Sequence, residues 1–332
     1  MAATRVLFIG GTGVISSACA RLAIERGIEL HALNRGATSL RPLPESARVT
    51  RADARDPAAV RAALGTLEFD AVVNFIAFTP PQVQADIDLF HDRVGQYVFI
   101  SSASAYQTPP QRLPITESTP LNNPFWQYSR DKIACEDLLT AAYRDRGFPA
   151  TIVRPSHTYD QTRLPILGGW TAVERMRRGA EIVVHGDGTS LWTLTHHDDF
   201  ARGFVPLLAN SRAIGDAFHI TSDEALTWDQ VYAMIGAAAG VTPRLVHLSS
   251  EMIAEDCPDW GPGLLGDKAH SMVFDNSKVK SLAPEFVATI PYERGAREIM
   301  AWHDADPSRR QVDPDVDAAL NRLVERRHAR PA

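Results

Sequence analysis

The sequence predicts an α/β fold, a doubly wound parallel sheet followed by a smaller C-terminal α/β domain. Three observations carry it. Short continuous apolar runs alternate with amphipathic stretches in the first half, a glycine-rich turn directly follows the first run, and the rhythm loosens after about residue 165. Apolar residues make up 45% of the chain and charged residues 22%, enough for one large domain or two sharing a surface, which excludes a mostly disordered chain.

Taken in order, residues 6–9 read as a buried strand and residues 17–26 as a helix turning Ala18, Leu22 and Ala23 inward. Strands follow at 30–33 and 48–51. Pro57 opens a helix over 57–64, because its missing N–H costs nothing in a first turn. The pattern continues with a strand at 70–75, a helix at 82–90, a strand at 97–100, a long helix at 127–146 and a strand at 150–153. Beyond it come a helix at 170–178, a strand at 182–184, a turn at Gly186-Asp187-Gly188 and a charged amphipathic helix at 313–327. The expected domains are 1–164 and 165–332, with segments near 192–222 free to return to the first.

Lys and Arg number 34 against 40 Asp and Glu, a formal charge of −6 that offers no basic stripe to nucleic acid. The three cysteines, Cys19, Cys135 and Cys257, form neither a disulfide framework nor a zinc knuckle, so a reducing compartment is expected. The first apolar run is shorter than a secretory h-region, and no segment reaches the roughly 20 apolar residues of a membrane span. The expected location is cytoplasmic.

After the first run stand Gly10-Gly11-Thr12-Gly13-Val14-Ile15-Ser16, then a helix. Glycine suits a tight turn with positive φ or a close ligand, and a helix N-terminus offers free N–H groups to a pyrophosphate. Strand–turn–helix context makes this a Rossmann-type dinucleotide site. Its second strand ends in Leu33-Asn34-Arg35 with no acid to grip an NAD ribose. Arg35 is either a ligand of a 2′-phosphate, favouring NADP over NAD, or a solvated loop cation. Asp53 either accepts from an adenine amino group or is an exposed loop carboxylate.

Tyr128 and Lys132 lie four apart on one face of the long helix, and the strand at 97–100 runs into Ser101, Ser102 and Ser104 at the sheet edge where ligands gather. A phenol with a pKa near ~10 is a poor base at neutral pH. An adjacent ammonium favours the phenolate, and a serine hydroxyl holds the substrate oxygen beside it.

On these residues the chain resembles the extended short-chain dehydrogenase/reductases, the NAD-dependent epimerase/dehydratase family. The match adds Asn74-Phe75-Ile76-Ala77, Arg154-Pro155-Ser156-His157-Thr158-Tyr159, Gly186-Asp187-Gly188 and Thr195-His196-His197-Asp198-Asp199. The resemblance implies Tyr128 as general acid/base, Lys132 as its tuner and a ribose ligand, and Ser102 as the group orienting the substrate oxygen. It implies Gly10, Thr12, Gly13, Val14 and Ile15 at the pyrophosphate. Asn34, Arg35, Asp53, Ala54, Ile76, Ala77, Pro155 and His157 complete the cofactor set for NAD(P), and Ser104, His157 and Trp192 face the substrate.

The chain also departs from the family pattern. Ala103 and Ser104 replace the Asp-Glu pair that water elimination uses, Trp192 stands where an arginine often reaches a diphosphate, and His157 replaces an asparagine. His157 is either a second acid/base or a hydrogen-bonded pocket residue. Adjacent ligands diverge on any regular element, so His196-His197-Asp198-Asp199 is not read as a metal site, and Asp198 reads as a helix cap. The expected activity is redox chemistry at a secondary alcohol or ketone of a sugar or nucleotide sugar. Epimerisation on a bound cofactor comes first, NADPH-dependent ketone reduction second, and a non-catalytic dinucleotide-binding regulator last. The resemblance implies a homodimer through the helices at 82–90 and 127–146. Trp170, Trp192, Trp260 and His270 are further pocket candidates.

Overall fold

In the computed structural model, which describes residues 3–36 and 40–329, one seven-stranded sheet organises the first half. Its strands are β1 (Arg5–Ile9), β2 (Glu29–Asn34), β3 (Arg48–Arg51), β4 (Ala71–Asn74), β5 (Tyr97–Ile100), β6 (Ala150–Pro155) and β11 (Ala217–Ile220). They lie in the order β11-β6-β5-β4-β1-β2-β3, all parallel. The order reverses beside β1, and Ile9 pairs with both Leu33 and Asn74, so β1, β2 and β4 end level around one crevice.

Alternation along β1 divides the core. Val6 and Phe8 pack with Ala18, Cys19, Phe200 and Phe204, whereas Leu7 and Ile9 pack with Val83, Ile87, Cys135 and Leu139. The helices supplying those residues are α1 (Val14–Glu25), α3 (Pro80–Phe90), α4 (Gln127–Arg146) and α6 (His197–Phe204), with α2 (Pro57–Leu64) and α5 (Gly169–Arg177) between them in sequence.

Two helices begin earlier than the sequence pattern suggests, and capping explains both. α1 starts at Val14 because Gly13 is extended and donates its N–H to Ser16 Oγ at 2.7 Å. α3 starts at Pro80 because Gln82 Oε1 accepts from the N–H groups of Phe78 and Thr79 at 2.7 and 3.1 Å. The cap of α6 is a correction: His196 Nδ1 accepts from the Asp198 N–H at 3.2 Å, and Asp198 instead pairs with Arg21 on α1.

The second half is tied together by three two-stranded ladders. β7 (His157–Tyr159) pairs with β10 (Leu194–His196), β9 (Leu191–Trp192) with β12 (Leu226–Thr227), and β8 (Glu181–His185) with β13 (Arg244–Leu248). A separate core containing Trp170, Val184, Trp192, Trp228, Tyr232 and Ile299 lies beneath them. The exposed residues of α4, one of the two helices expected to form a dimer, include Arg130, Ala134, Asp137, Ala141, Tyr143 and Arg144. No helix among the described residues is long and apolar enough to cross a membrane.

Candidate active site

At the crevice, Gly10 has φ +87°, and a Cβ there would stand 2.6 Å from Ile76 Cγ2, so the turn accepts only glycine. Ser16, the third small residue, is fully buried and lets α1 press on the sheet. The first-turn N–H groups of α1 have no intrahelical acceptors, and that turn carries no acid. This backbone cradle fits a dinucleotide pyrophosphate.

The ribose end fits a phosphate. Arg35 and Arg51 are exposed at the ends of β2 and β3, with no carboxylate partner among the described residues. Arg51 is packed against the turn, since a Cβ on Gly36 would lie 2.9 Å from its Nε. Asn34 Oδ1 accepts from the Gly36 N–H at 2.9 Å and shapes that turn. Asp53, by contrast, is engaged with Arg55 at 2.7 Å; this pairing holds its carboxyl below the usual range, with a smaller push from Arg35. Ala54 packs against the core that contains Val60 and Leu64.

Beside β4, a buried chain supports the segment that follows. Tyr97 Oη and Asn74 Nδ2 donate to Asp86 at 2.5 and 2.6 Å, and Asn74 Oδ1 accepts from the Ile76 N–H at 2.9 Å. Ala77 then presents its carbonyl to Lys132. The Lys132 ammonium is buried, donates to the Ala77 and Ile100 carbonyls at 2.7 Å each, and lies 4.6 and 4.7 Å from the Phe99 and Phe78 ring centres. Desolvation lowers its pKa to about 8.

Tyr128 is one turn away, its ring centre 5.8 Å from Lys132 Nζ. Burial pushes the phenol pKa up, the Ser102 hydroxyl hydrogen-bonded to it pulls down, and Asp267 adds a further upward push. The Lys132 donors are directed at the Ala77 and Ile100 carbonyls.

Ser104, expected at the substrate, lines the same cavity as Ser102 and Tyr128. It is buried, and its hydroxyl bonds to Ser102 Oγ at 2.9 Å and Ser129 Oγ at 2.8 Å, so it orients Ser102. Ser102 and Tyr128 open on a cavity of about 690 Å³ also lined by Pro155, His157, His185, Trp192, Trp228 and Asp267. Trp192 contributes its ring to the wall, but its N–H is already given to His157 Nδ1 at 3.2 Å. Trp170 sits in the core stacked on His303 at 4.8 Å, and neither Trp260 nor His270 lines the cavity.

Several residues were missed by sequence reasoning. Asn123 is buried and joins the parts of the site: Nδ2 donates to the Ser104 and Gly266 carbonyls at 2.8 and 2.6 Å, and Oδ1 accepts from the Phe125 and Trp126 N–H groups. An Asn shortly before a helix start was the available signal. Arg51, His185, Asp267 and Lys268 carried none, since they reach the site from distant segments. His196, His197 and Asp198 bring potential ligand atoms within 4.8 Å of one another. Both His196 nitrogens are engaged, however, Nδ1 by the Asp198 N–H and Nε2 by Glu298 at 3.1 Å.

Comparisons with known proteins bear on this geometry. The model of the NAD dependent epimerase/dehydratase family matches residues 6–221. The 2'-dehydrokanamycin reductase of Streptomyces kanamyceticus is 29% identical over 90% of this chain and 84% of its own length. The chloroplast stem-loop binding protein of 41 kDa b of Arabidopsis thaliana is 24% identical over 73% of this chain and 65% of its own length. Among solved structures, the UDP-glucose 4-epimerase of Bifidobacterium longum, in complex with NAD+ and UDP, superposes with a TM-score of 0.72. It shares 19% identity, with 92% of this chain and 99% of that one covered.

Proposed function

The chain belongs to the NAD dependent epimerase/dehydratase family, and from that premise we propose that it reduces a ketone on a sugar-like ring with NADPH. The observation that carries this reading is that Ser102 and Tyr128 line one cavity of about 690 Å³, with Lys132 one turn from Tyr128. Reduction needs a proton donor at the carbonyl oxygen, and a phenol, whose ordinary pKa is near ~10, carries that proton at neutral pH. NADPH, when bound, supplies the hydride.

Ser102 positions the substrate oxygen, and the Tyr128 proton passes to it as the carbonyl becomes a secondary alcohol. Gly10, Thr12, Gly13, Val14 and Ile15 would hold the pyrophosphate, Arg35 and Arg51 the 2′-phosphate, and Lys132 the nicotinamide ribose. Ile76, Ala77 and Pro155 would border the ring. Ala103 and Ser104 leave no carboxyl behind Ser102, which argues against dehydration. The similarity to the 2'-dehydrokanamycin reductase supports the reductive direction.

Epimerisation uses the same trio and differs in keeping its dinucleotide through both half-reactions. Full-length protein is therefore assayed two ways, by NADPH absorbance with 2'-dehydrokanamycin and by conversion of UDP-glucose without added cofactor. Loss of NADPH absorbance with the ketone is the expected result. Interconversion of UDP-glucose by protein that retains its dinucleotide in native mass spectrometry would overturn it. A homodimer is the proposed assembly, and a monomeric mass by light scattering would contradict it. The proposed domains are 1–164, to which the segment near 192–222 with α6 and β11 returns, and the rest of 165–332; the proposed location is the cytoplasm.

A further inference from the structure

The cavity holds two imidazoles that proton transfer at Tyr128 does not use. The Trp192 indole, which is only a donor, gives its N–H to His157 Nδ1 at 3.2 Å. Nδ1 therefore carries no proton, and the neutral ring keeps its proton on Nε2. Protonating Nδ1 would set two N–H groups head to head, and losing the Nε2 proton would leave an imidazolate. His157 is thus a fixed donor, not the second acid/base. Burial, with Lys268 and Arg163 nearby, holds it neutral by lowering its pKa to about 3.

His185 at the end of β8 has the opposite polarity. Its Nε2 lies 3.0 Å from the Lys268 carbonyl, which only accepts, so Nε2 bears the proton and Nδ1 is a bare lone pair. The side chain is 1% exposed, it lines the cavity, and its buried Nδ1 has no hydrogen-bond partner. The Trp228 indole donates to the same Lys268 carbonyl at 3.2 Å, and its ring lies edge to face with His185 at 4.7 Å, which fixes the imidazole in place. An unmet buried acceptor is costly unless a ligand satisfies it.

We infer that His157 and His185 form a fixed donor–acceptor pair that reads the substrate. The pair selects a ring presenting an acceptor oxygen to His157 Nε2 and a hydroxyl or amino hydrogen to His185 Nδ1. This deepens the proposed function and rests on its reading of the cavity as the substrate site. An anionic oxygen against His185 Nδ1 would face a lone pair, so a phosphate is disfavoured at that atom; of the charged residues that line the cavity, Asp267 is paired with Lys268 and Arg163 stands apart from them.

Histidine-15N-labelled full-length protein tests this by long-range proton–nitrogen spectra, with His157→Gln and His185→Gln assigning the two rings. Both are expected in the Nε2–H form and uncharged from about pH 8 to about pH 5. Methyl glucoside and its 2-amino counterpart are expected to shift the His185 Nδ1 resonance, and His185→Phe to weaken their binding, read by tryptophan fluorescence, about tenfold or more. Glucose 1-phosphate is expected to do neither. An Nδ1–H form at either ring, tighter binding of glucose 1-phosphate than of the glycosides, or no response to either glycoside would overturn the inference. None of these readings needs turnover. If the tautomers are as expected but Tyr128→Phe retains full activity, the proposed reaction fails and the pair does not.

Discussion

The dinucleotide cradle and the substrate cavity meet at Tyr128 but are made of different material. The cradle is largely backbone: a left-handed Gly10, the open first turn of α1, and the Ala77 and Ile100 carbonyls that hold Lys132. The cavity is side chains drawn from β7, β8, β9 and the turn around Asp267, fixed by hydrogen bonds that span 35 to 83 residues of sequence. A backbone site is written into consecutive residues and tolerates few substitutions. A side-chain cavity is written into tertiary register and allows the substrate to change while the chemistry stays.

The largest effect of a single residue is expected in the cradle. Gly10→Ala forces a Cβ into left-handed backbone and against Ile76, at a cost of about 2–5 kcal/mol combining strain and overpacking. Thermal unfolding and dinucleotide titration read it, and an unchanged Tm with unchanged binding would break the contrast.

Next is Asp86, which supports the Ile76–Ala77 segment through Asn74. Burial raises its pKa to about 6, so between about pH 4 and pH 6 the folded state holds a proton that the unfolded state has released. Stability contributed by this group therefore falls as pH rises through that window, by about 3 kcal/mol in all. Asp86→Asn is expected to flatten that slope in denaturant titrations and to be the more stable protein at pH 7. An unaltered slope would show that Asp86 does not titrate there.

Arg35→Ala and Arg51→Ala sharpen the comparison from the ribose end. Each removes one charge-assisted contact of about 1.5–3 kcal/mol, so the NADPH Kd is expected to rise tenfold or more while NADH binding stays level. Equal losses for both dinucleotides would make these arginines structural. The smallest effect is in the cavity wall. Trp192→Phe deletes one hydrogen bond worth about 1 kcal/mol and frees His157 Nδ1, so the His157 resonance is expected to titrate at higher pH than in the parent protein. An unmoved titration would place the control entirely in burial.

Legibility in the sequence followed the same division. The sheet strands and α4 could be read because a buried parallel strand is a continuous apolar run and α4 is long. Gly10, Tyr128 and Lys132 were legible because turn geometry and one-turn helical spacing are local. Polarity was not. Nothing in the sequence directs the Lys132 donors at carbonyls instead of the phenol, gives the Trp192 N–H to His157, or leaves His185 Nδ1 unmet, because each is decided by a partner far along the chain. The partner of the Ser104 hydroxyl was illegible for the same reason, since Ser129 lies 25 residues further along the chain.

The most direct measurement is the turnover of Tyr128→Phe, with NADPH affinity measured on the same preparation. Loss of the phenolic proton is expected to slow ketone reduction by roughly 10²–10⁴-fold while NADPH binds as before. Reduction at close to the parent rate, with the dinucleotide still bound, would contradict a proton donated by Tyr128.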